Sequence, residues 1–246
     1  MSIDLRSGDC IEIMRGLPDQ SVDHVIADPP YSEHVHSNAR TNGTADRVHK
    51  IEFKPLTKAD MRALAKQYAR LCKRWIVLCC TAEMIADWRG ALMAAGLEWV
   101  RTGYWIRKGA PQLTGDRPAA GCETIAISHP AGRKRWNGGG KDGVWYAQIP
   151  RGDDRYGHAT PKPIELMRQL VEDFTEPGET VLDSHMGSGT TGAACVELGR
   201  QFIGIELDPK HFATAQRRIE NTTRQGSLFA PTKPQQLKLG AACPTT

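Results

Sequence analysis

Apolar and polar positions along this chain of 246 residues switch between two periods, and the switches mark its elements. Short continuous apolar runs read as strands buried on both faces: Val22–Ala27, Trp75–Cys80, Thr180–Asp183 and Gln201–Glu206. Ile3–Arg6, the longer Leu97–Arg107 and Glu123–Ser128 complete the predicted strands. Helical spacing runs through Cys10–Leu17, and through Thr57–Leu71 by way of Met61, Leu64, Ala65, Tyr68 and Leu71. It returns in Glu83–Ala95, Pro163–Phe174, Thr190–Leu198 and Pro209–Asn221. Thr57 suits an N-cap, Pro163 suits a first helical turn, and Gly96 and Gly199 suit helix stops. Residues 32–50, 108–121 and 129–157 show neither period and predict loops, the last two basic and rich in glycine. Strands alternating with helices at both ends predict an α/β chain with a largely parallel sheet covered on both faces. The middle reads as an insertion or an elaborated edge of that sheet.

Composition narrows the class without choosing a function. Lys and Arg number 32 against 28 Asp and Glu, a net charge of +4 that permits a nucleic-acid partner without demanding one. No apolar run is long enough to span a bilayer, and the first residues lack the apolar stretch of a signal peptide, so a cytoplasmic protein with no membrane partner is expected. The seven cysteines are odd in number and show no C-x-x-C pair, which predicts reduced, packed thiols rather than a disulfide framework or a zinc ribbon. Residues 224–246, rich in Pro, Gln, Lys and Thr, read as a disordered tail.

Chemistry concentrates at two turns. The first, Asp183-Ser-His-Met-Gly187-Ser-Gly189-Thr190-Thr191-Gly192, links a predicted strand to a predicted helix. Its glycines let a ligand approach the backbone, and the free amides of the helix start favour an anionic group. Glu206 ends the next strand, where a carboxylate can accept from ribose hydroxyls. Gly187 to Gly192 also matches the G-x-G-x-x-G of dinucleotide enzymes, so an oxidoreductase stays open on this loop alone, as does a purely structural turn. Asp183, however, repels a pyrophosphate and attracts an ammonium. A ligand carrying both ammonium and carboxylate, such as the methionine end of S-adenosylmethionine (SAM), fits better. A phosphate-binding P-loop fails because no lysine follows the second glycine.

The second turn, Asp28-Pro29-Pro30-Tyr31, leaves a buried strand at the sheet edge where ligands collect. It could be no more than a strand exit closed by prolines. The chemical reading is sharper. An amino group on adenine or cytosine is a poor nucleophile because its lone pair is delocalised into the ring. A carboxylate taking one N–H and a backbone carbonyl taking the other draw the nitrogen toward tetrahedral geometry. Asp28 and the Pro29 carbonyl can do this, Pro30 stiffens the turn, and Tyr31 offers a face for an extruded base.

With these turns in view, the chain resembles the β class of SAM-dependent DNA amino-methyltransferases, which make N6-methyladenine or N4-methylcytosine. Five segments fall in that family's order within residues 4–221: Gly8-Asp9-Cys10, Asp28–Tyr31, His158-Ala-Thr-Pro-Lys-Pro163, Asp183–Thr191 and Gly204–Pro209. The resemblance implies a doubly wound, Rossmann-like methyltransferase fold over 1–223, permuted in order, with an inserted basic target-recognition region near 108–157. It implies that Asp9 accepts from the cofactor adenine, that the backbone at Cys10 flanks the ring, and that Glu206 holds the ribose. Asp183 with the amides of Gly187, Gly189, Thr190 and Thr191 would take the methionine end, helped at its carboxylate by Thr160 and Lys162. His185 stands where the family commonly has Phe packed on the cofactor. Asp28, in place of Ser, leans toward adenine in double-stranded DNA. The family also contains homodimers. A cytosine-N4 enzyme and a DNA-binding subunit that retains the fold without activity are the rivals.

The segment 129–157 carries six basic residues against three acidic ones, with Trp136, Trp145 and Tyr146 among them. Arg133, Lys134, Arg135, Trp136 and Lys141 are the candidate contacts to DNA, against the plainer alternative of a solvated charged loop. His34, His36 and His49 lack the spacing of a metal site, and no metal is expected.

Overall fold

The computed structural model describes residues 2–31, 55–108, 118, 120–150 and 161–228. The predicted loop 32–50 with its histidines, Thr160, and residues 229–246 of the predicted tail lie outside them.

Among the described residues one eight-stranded sheet carries the fold, in the order β1-β8-β7-β2-β3-β5-β4-β6. Its strands are β1 (Ile3–Ser7), β2 (His24–Ala27), β3 (Ile76–Cys80), β4 (Glu98–Lys108), β5 (Cys122–His129), β6 (Val144–Gln148), β7 (Thr180–Asp183) and β8 (Gln201–Glu206). The run β1-β8-β7-β2-β3 is parallel throughout. β5 runs against both its neighbours, and β6 lies parallel to β4 at the edge.

The apolar runs explain the layering. Successive strand residues point to opposite faces, so Val25 and Ala27 enter one core while Ile26 enters the other. On the first face pack α1 (Cys10–Arg15), α2 (Lys58–Leu71) and α3 (Ile85–Ala94), with Met14, Leu64, Tyr68 and Trp88. On the second lie α4 (Ile164–Phe174), α5 (Thr190–Glu197) and α6 (Pro209–Leu228), with Leu170, Phe174, Val181, Phe202 and Ile219. This is the doubly wound, Rossmann-like α/β fold the sequence implies.

Local capping follows the sequence. Thr57 and Asp60 form a reciprocal capping box at the start of α2. Pro163 is itself the N-cap of α4, so that helix begins one residue later than predicted.

Three expectations need correcting. The segment 129–157 contains a strand: β6 pairs with β4, burying Trp145 and Ala147 while Tyr146 is exposed. A single 3-10 turn, Ala82–Met84, precedes α3. The last helix continues past Asn221 to Leu228, into the stretch read as tail.

Candidate active site

Four parallel strands lie side by side in the order β1, β8, β7, β2, and each delivers one acid at or just past its carboxyl end: Asp9, Glu206, Asp183 and Asp28. A ligand crevice forms at such ends where the winding direction of the fold reverses. Here it is a cavity of about 500 Å³. Gly8, Cys10, Gly187 and Leu207 line it from the β1-β8-β7 side of the sheet, Trp105, Arg107 and Glu123 from β4 and β5, and Asp28 to Tyr31, leaving β2, line it as well.

The glycine turn is shaped for ligand approach and for packing at once. Gly187 and Gly189 have φ of +51° and +78°, a region side chains disfavour. Gly189 is the N-cap of α5, and a Cβ there would lie 2.9 Å from Ala215 of α6. A Cβ on Gly192 would meet Ile219 at 2.4 Å, so the third glycine serves helix packing. At the start of α5, Thr190 and Thr191 present amides without intrahelical acceptors. From α6, the buried Arg218 donates to the Thr190 hydroxyl (2.7 Å).

Asp183 accepts from the Thr191 hydroxyl (2.6 Å) and the His185 amide (3.0 Å). Burial nevertheless pushes its pKa up to about 7, against those two bonds. Glu206 is braced by the amides of Gly187 (2.9 Å) and Asp208 (2.8 Å). Asp9 spends one oxygen capping α1 through the Glu12 amide (3.0 Å). His185 Nδ1 lies 2.8 Å from the Ser184 hydroxyl, itself 2.6 Å from the Tyr68 hydroxyl. On its other side, His185 Nε2 is 3.6 Å from the Cys10 thiol. Burial holds this imidazole near a pKa of about 4, hence neutral, and raises the Cys10 thiol to about 12. Together these groups offer an acid for an ammonium, amides for a carboxylate and an acid for vicinal hydroxyls, the complement of the methionine and ribose ends of SAM.

Lys162, which the resemblance implies helps the methionine carboxylate, makes its bonds around Asp28. Its ammonium donates to Asp28 Oδ2 (2.7 Å) and to the Tyr31 hydroxyl (2.7 Å), and lies 3.4 Å from Glu123 Oε2. Tyr31 in turn donates to Glu123 (2.8 Å), and Arg107 donates to the other Glu123 oxygen (3.1 Å). Lys162 is thus part of the Asp28 cluster; no bond joins it to the glycine turn. Burial lowers the tendency of Lys162 to hold its proton, but Asp28 and Glu123 overcome this and drive its pKa well above the ordinary lysine range. Burial raises Asp28, with Lys162 opposing. Burial also acts to raise Glu123, yet Lys162 and Arg107 outweigh it and hold that carboxyl below its usual value. Reading the sequence singled out neither Glu123 nor Arg107. Its one available signal was an acid opening an otherwise apolar strand.

The basic segment lies at the opposite edge. Lys134 pairs with Glu98 at the start of β4, and the Arg135 carbonyl accepts from Trp75 just before β3. Arg135 lies 3.8 Å from Glu176, and Lys141 pairs with Asp173 near the end of α4 (2.8 Å). Trp136 packs edge-on to Phe174 with ring centroids 4.9 Å apart. Nine residues of β4, about 30 Å of strand, separate Glu98 from cavity-lining Arg107. Arg133, Lys134, Arg135, Trp136 and Lys141, the candidate DNA contacts, therefore lie away from Asp28, and contact with the DNA backbone there remains a proposal. Lys134 and Lys141 pair with local acids, Arg133 is exposed, and the ring of Trp136 anchors the loop. Replacing Arg133, Lys134 and Arg135 together with alanine is expected to change the salt slope of DNA affinity by less than about one counterion. Loss of two or more, measured by anisotropy titration across salt concentrations, would support the interface reading.

Fold and crevice together define a Rossmann-like methyltransferase. Residues 126–217 match the DNA methylase family of N6/N4 methyltransferases, a stretch that includes the glycine turn and Glu206. The chain is 26% identical to the type II methyltransferase M.HinfI of Haemophilus influenzae across 86% of its own length and 67% of that protein. It is 35% identical to M.BglI of Bacillus subtilis over 98 residues, which cover 40% of the chain and 28% of the relative. The crystal structure of an M1.HpyAVI–SAM complex superposes with a TM-score of 0.67 at 25% identity, covering 88% of this chain and 98% of that one. The cytosine-N4-specific PvuII methyltransferase shares the fold at 16% identity, with a TM-score of 0.67 and 92% of each chain covered. These likenesses together support a β-class N6-adenine/N4-cytosine DNA methyltransferase. Among its described residues no helix is long and apolar enough to cross a membrane.

Proposed function

We propose that the chain transfers a methyl group from SAM to the exocyclic amino nitrogen of adenine in double-stranded DNA, acting on a base swung out of the helix. The observation that carries this reading is the state of Asp28. Lys162 takes Oδ2, while Oδ1 is buried without a hydrogen-bond partner. An orphaned acceptor costs free energy unless a ligand satisfies it, and a base amino group does so.

When bound, SAM supplies an electrophilic methyl on a sulfonium. The protein does the rest. Asp183 and the α5 amides would hold the amino acid end, Glu206 the ribose, and Asp9 with the Cys10 backbone the adenine end. Asp28 Oδ1 and the Pro29 carbonyl accept the two amino hydrogens, so the nitrogen lone pair localises toward the methyl. That pair would form the new N–C bond as the methyl–sulfur bond breaks with its electrons left on sulfur, and Asp28 or solvent would take the nitrogen proton. Orientation and fixed charge supply the acceleration. Asp28, as against serine, before Pro29-Pro30-Tyr31 supports adenine.

The test is to incubate the purified chain with SAM and unmethylated bacterial DNA, then analyse the nucleosides by mass spectrometry. N6-methyldeoxyadenosine is expected. N4-methyldeoxycytidine in its place would overturn the base assignment, and neither product would overturn the function.

Cofactor binding should carry the signature of Asp183. An ammonium prefers the ionised carboxyl, which fills in as pH rises through about 7. The ligand's own α-amino group loses its charge near 7.7–8.0 in the ordinary case. SAM affinity is therefore expected to rise about fivefold from pH 6 to 7.5 and to fall above pH 8, with a proton released on binding below pH 7. For the free protein the sign is opposite: a carboxyl raised by folding favours the folded state at low pH and loses that contribution as pH climbs toward 7. Calorimetric titration at several pH values checks this, and a flat affinity would remove Asp183 from the ammonium site.

A further inference from the structure

Besides Asp28 Oδ1, one more buried side-chain atom without a hydrogen-bond partner belongs to a cavity-lining residue among those described: Arg107 Nε. The other two nitrogens of that guanidinium are committed, Nη1 to Glu123 Oε1 (3.1 Å) and Nη2 to the Ala120 carbonyl (2.5 Å). The fork is planar and rigid, so fixing two nitrogens fixes the direction of the third. The orphaned donor and the orphaned acceptor are also tied to each other. Arg107 holds Glu123, Glu123 holds Tyr31 and Lys162, and Lys162 holds Asp28.

We propose that Arg107 is a specificity-determining residue for the acceptor base: its Nε–H donates to the ring nitrogen beside the amino-bearing carbon while Asp28 Oδ1 accepts from the amino group. The inference rests on the function proposed above and names the edge that the site reads. A donor beside an acceptor complements an amidine edge, a bare ring nitrogen next to C–NH2. Adenine shows that edge at N1 and N6, and cytosine shows it at N3 and N4. Guanine and thymine show the reverse, a carbonyl oxygen facing the carboxylate and a ring N–H facing the guanidinium. Both buried groups would then be left unpaired, the strongest form of rejection a polar site possesses. Placement agrees with the role. Arg107 and Glu123 lie on β4 and β5, across β3 from Asp28, whereas the cofactor cradle lies on the β7-β8-β1 side.

The test uses the unaltered enzyme first. Once sequencing of methylated DNA has located the modified position, duplexes carrying that site are made with adenine or with 1-deazaadenine, which keeps the amino group and replaces the ring nitrogen with C–H. If cytosine is the modified base, 3-deazacytosine takes its place. Wild-type kcat/KM is expected to fall roughly 10- to 100-fold on the deaza duplex. Arg107→Met should lose a similar factor on the natural duplex and show no further loss on the analogue. Equal wild-type rates on the two duplexes would overturn the proposal. So would a deaza penalty of unchanged size in Arg107→Met. The wild-type comparison stands whether or not the variant folds. If the wild-type chain methylates no DNA, the underlying function falls, and this inference with it.

Discussion

Asp28→Ala is expected to abolish methyl transfer, lowering the rate by about a thousandfold or more, while SAM affinity stays within roughly twofold of wild type. The asymmetry follows from position. Asp28 leaves β2, whereas the cofactor cradle is assembled from β1, β8 and β7. Removing the carboxylate deletes the acceptor that draws the amino lone pair out of the ring, and nothing among the cavity-lining residues replaces it in the same place. The fold should survive, because the side chain faces the cavity with 27% of its surface exposed and takes no part in the hydrophobic core. Single-turnover assay with labelled methyl donor, alongside calorimetry for SAM, checks both halves. Near-normal transfer would refute the role given to Asp28.

The second large effect separates two roles for Lys162. If its ammonium supported the methionine carboxylate, Lys162→Met would weaken SAM binding. The observed bonds run to Asp28 and Tyr31, so the variant is expected to lose about a hundredfold or more in transfer rate with SAM affinity changed less than about threefold. Removing one partner of a buried ion pair strands the other, at a cost of about 3–5 kcal/mol. Here the stranded groups are Asp28 and Glu123, and their mutual repulsion favours protonation of one of them. The pH–rate profile should therefore shift to higher pH in the variant, which general destabilisation would not produce. A large rise in the SAM dissociation constant at unchanged maximal rate would return Lys162 to the cofactor.

The parts of this architecture that were readable from sequence share one physical trait: their signal is local. β3 and β7 are continuous apolar runs because both faces are covered, and the glycine turn shows itself because its backbone needs glycine within a few residues. Non-local features left weaker traces. β6 does alternate, with Trp145 and Ala147 buried and Tyr146 and Gln148 exposed. Yet it is five residues long, sits among glycines, and depends on a partner strand some forty positions earlier (Tyr104 opposite Val144). The Asp28 cluster is harder still. Lys162 is 134 positions from Asp28, and Glu123 meets Arg107 only through the antiparallel register of β4 and β5. Basic and aromatic composition marked 129–157 as a candidate DNA-contacting or solvated loop, but composition carries no information about which edge of a sheet a loop occupies.

Among the described residues, the wall of the cavity has six carboxyl side chains (Asp9, Asp28, Asp60, Glu123, Asp183 and Glu206) and two cationic ones, Arg107 and Lys162. Such a lining discriminates by charge. A nucleoside triphosphate resembles the cofactor in its adenosine half, but its polyanionic tail would lie beside Asp183 where the cofactor carries an ammonium, and it is expected to compete poorly with SAM. For a nucleic acid the same acids would favour a neutral heterocycle over the phosphodiester linkages on either side of it, so charge as well as shape would set how far the strand enters.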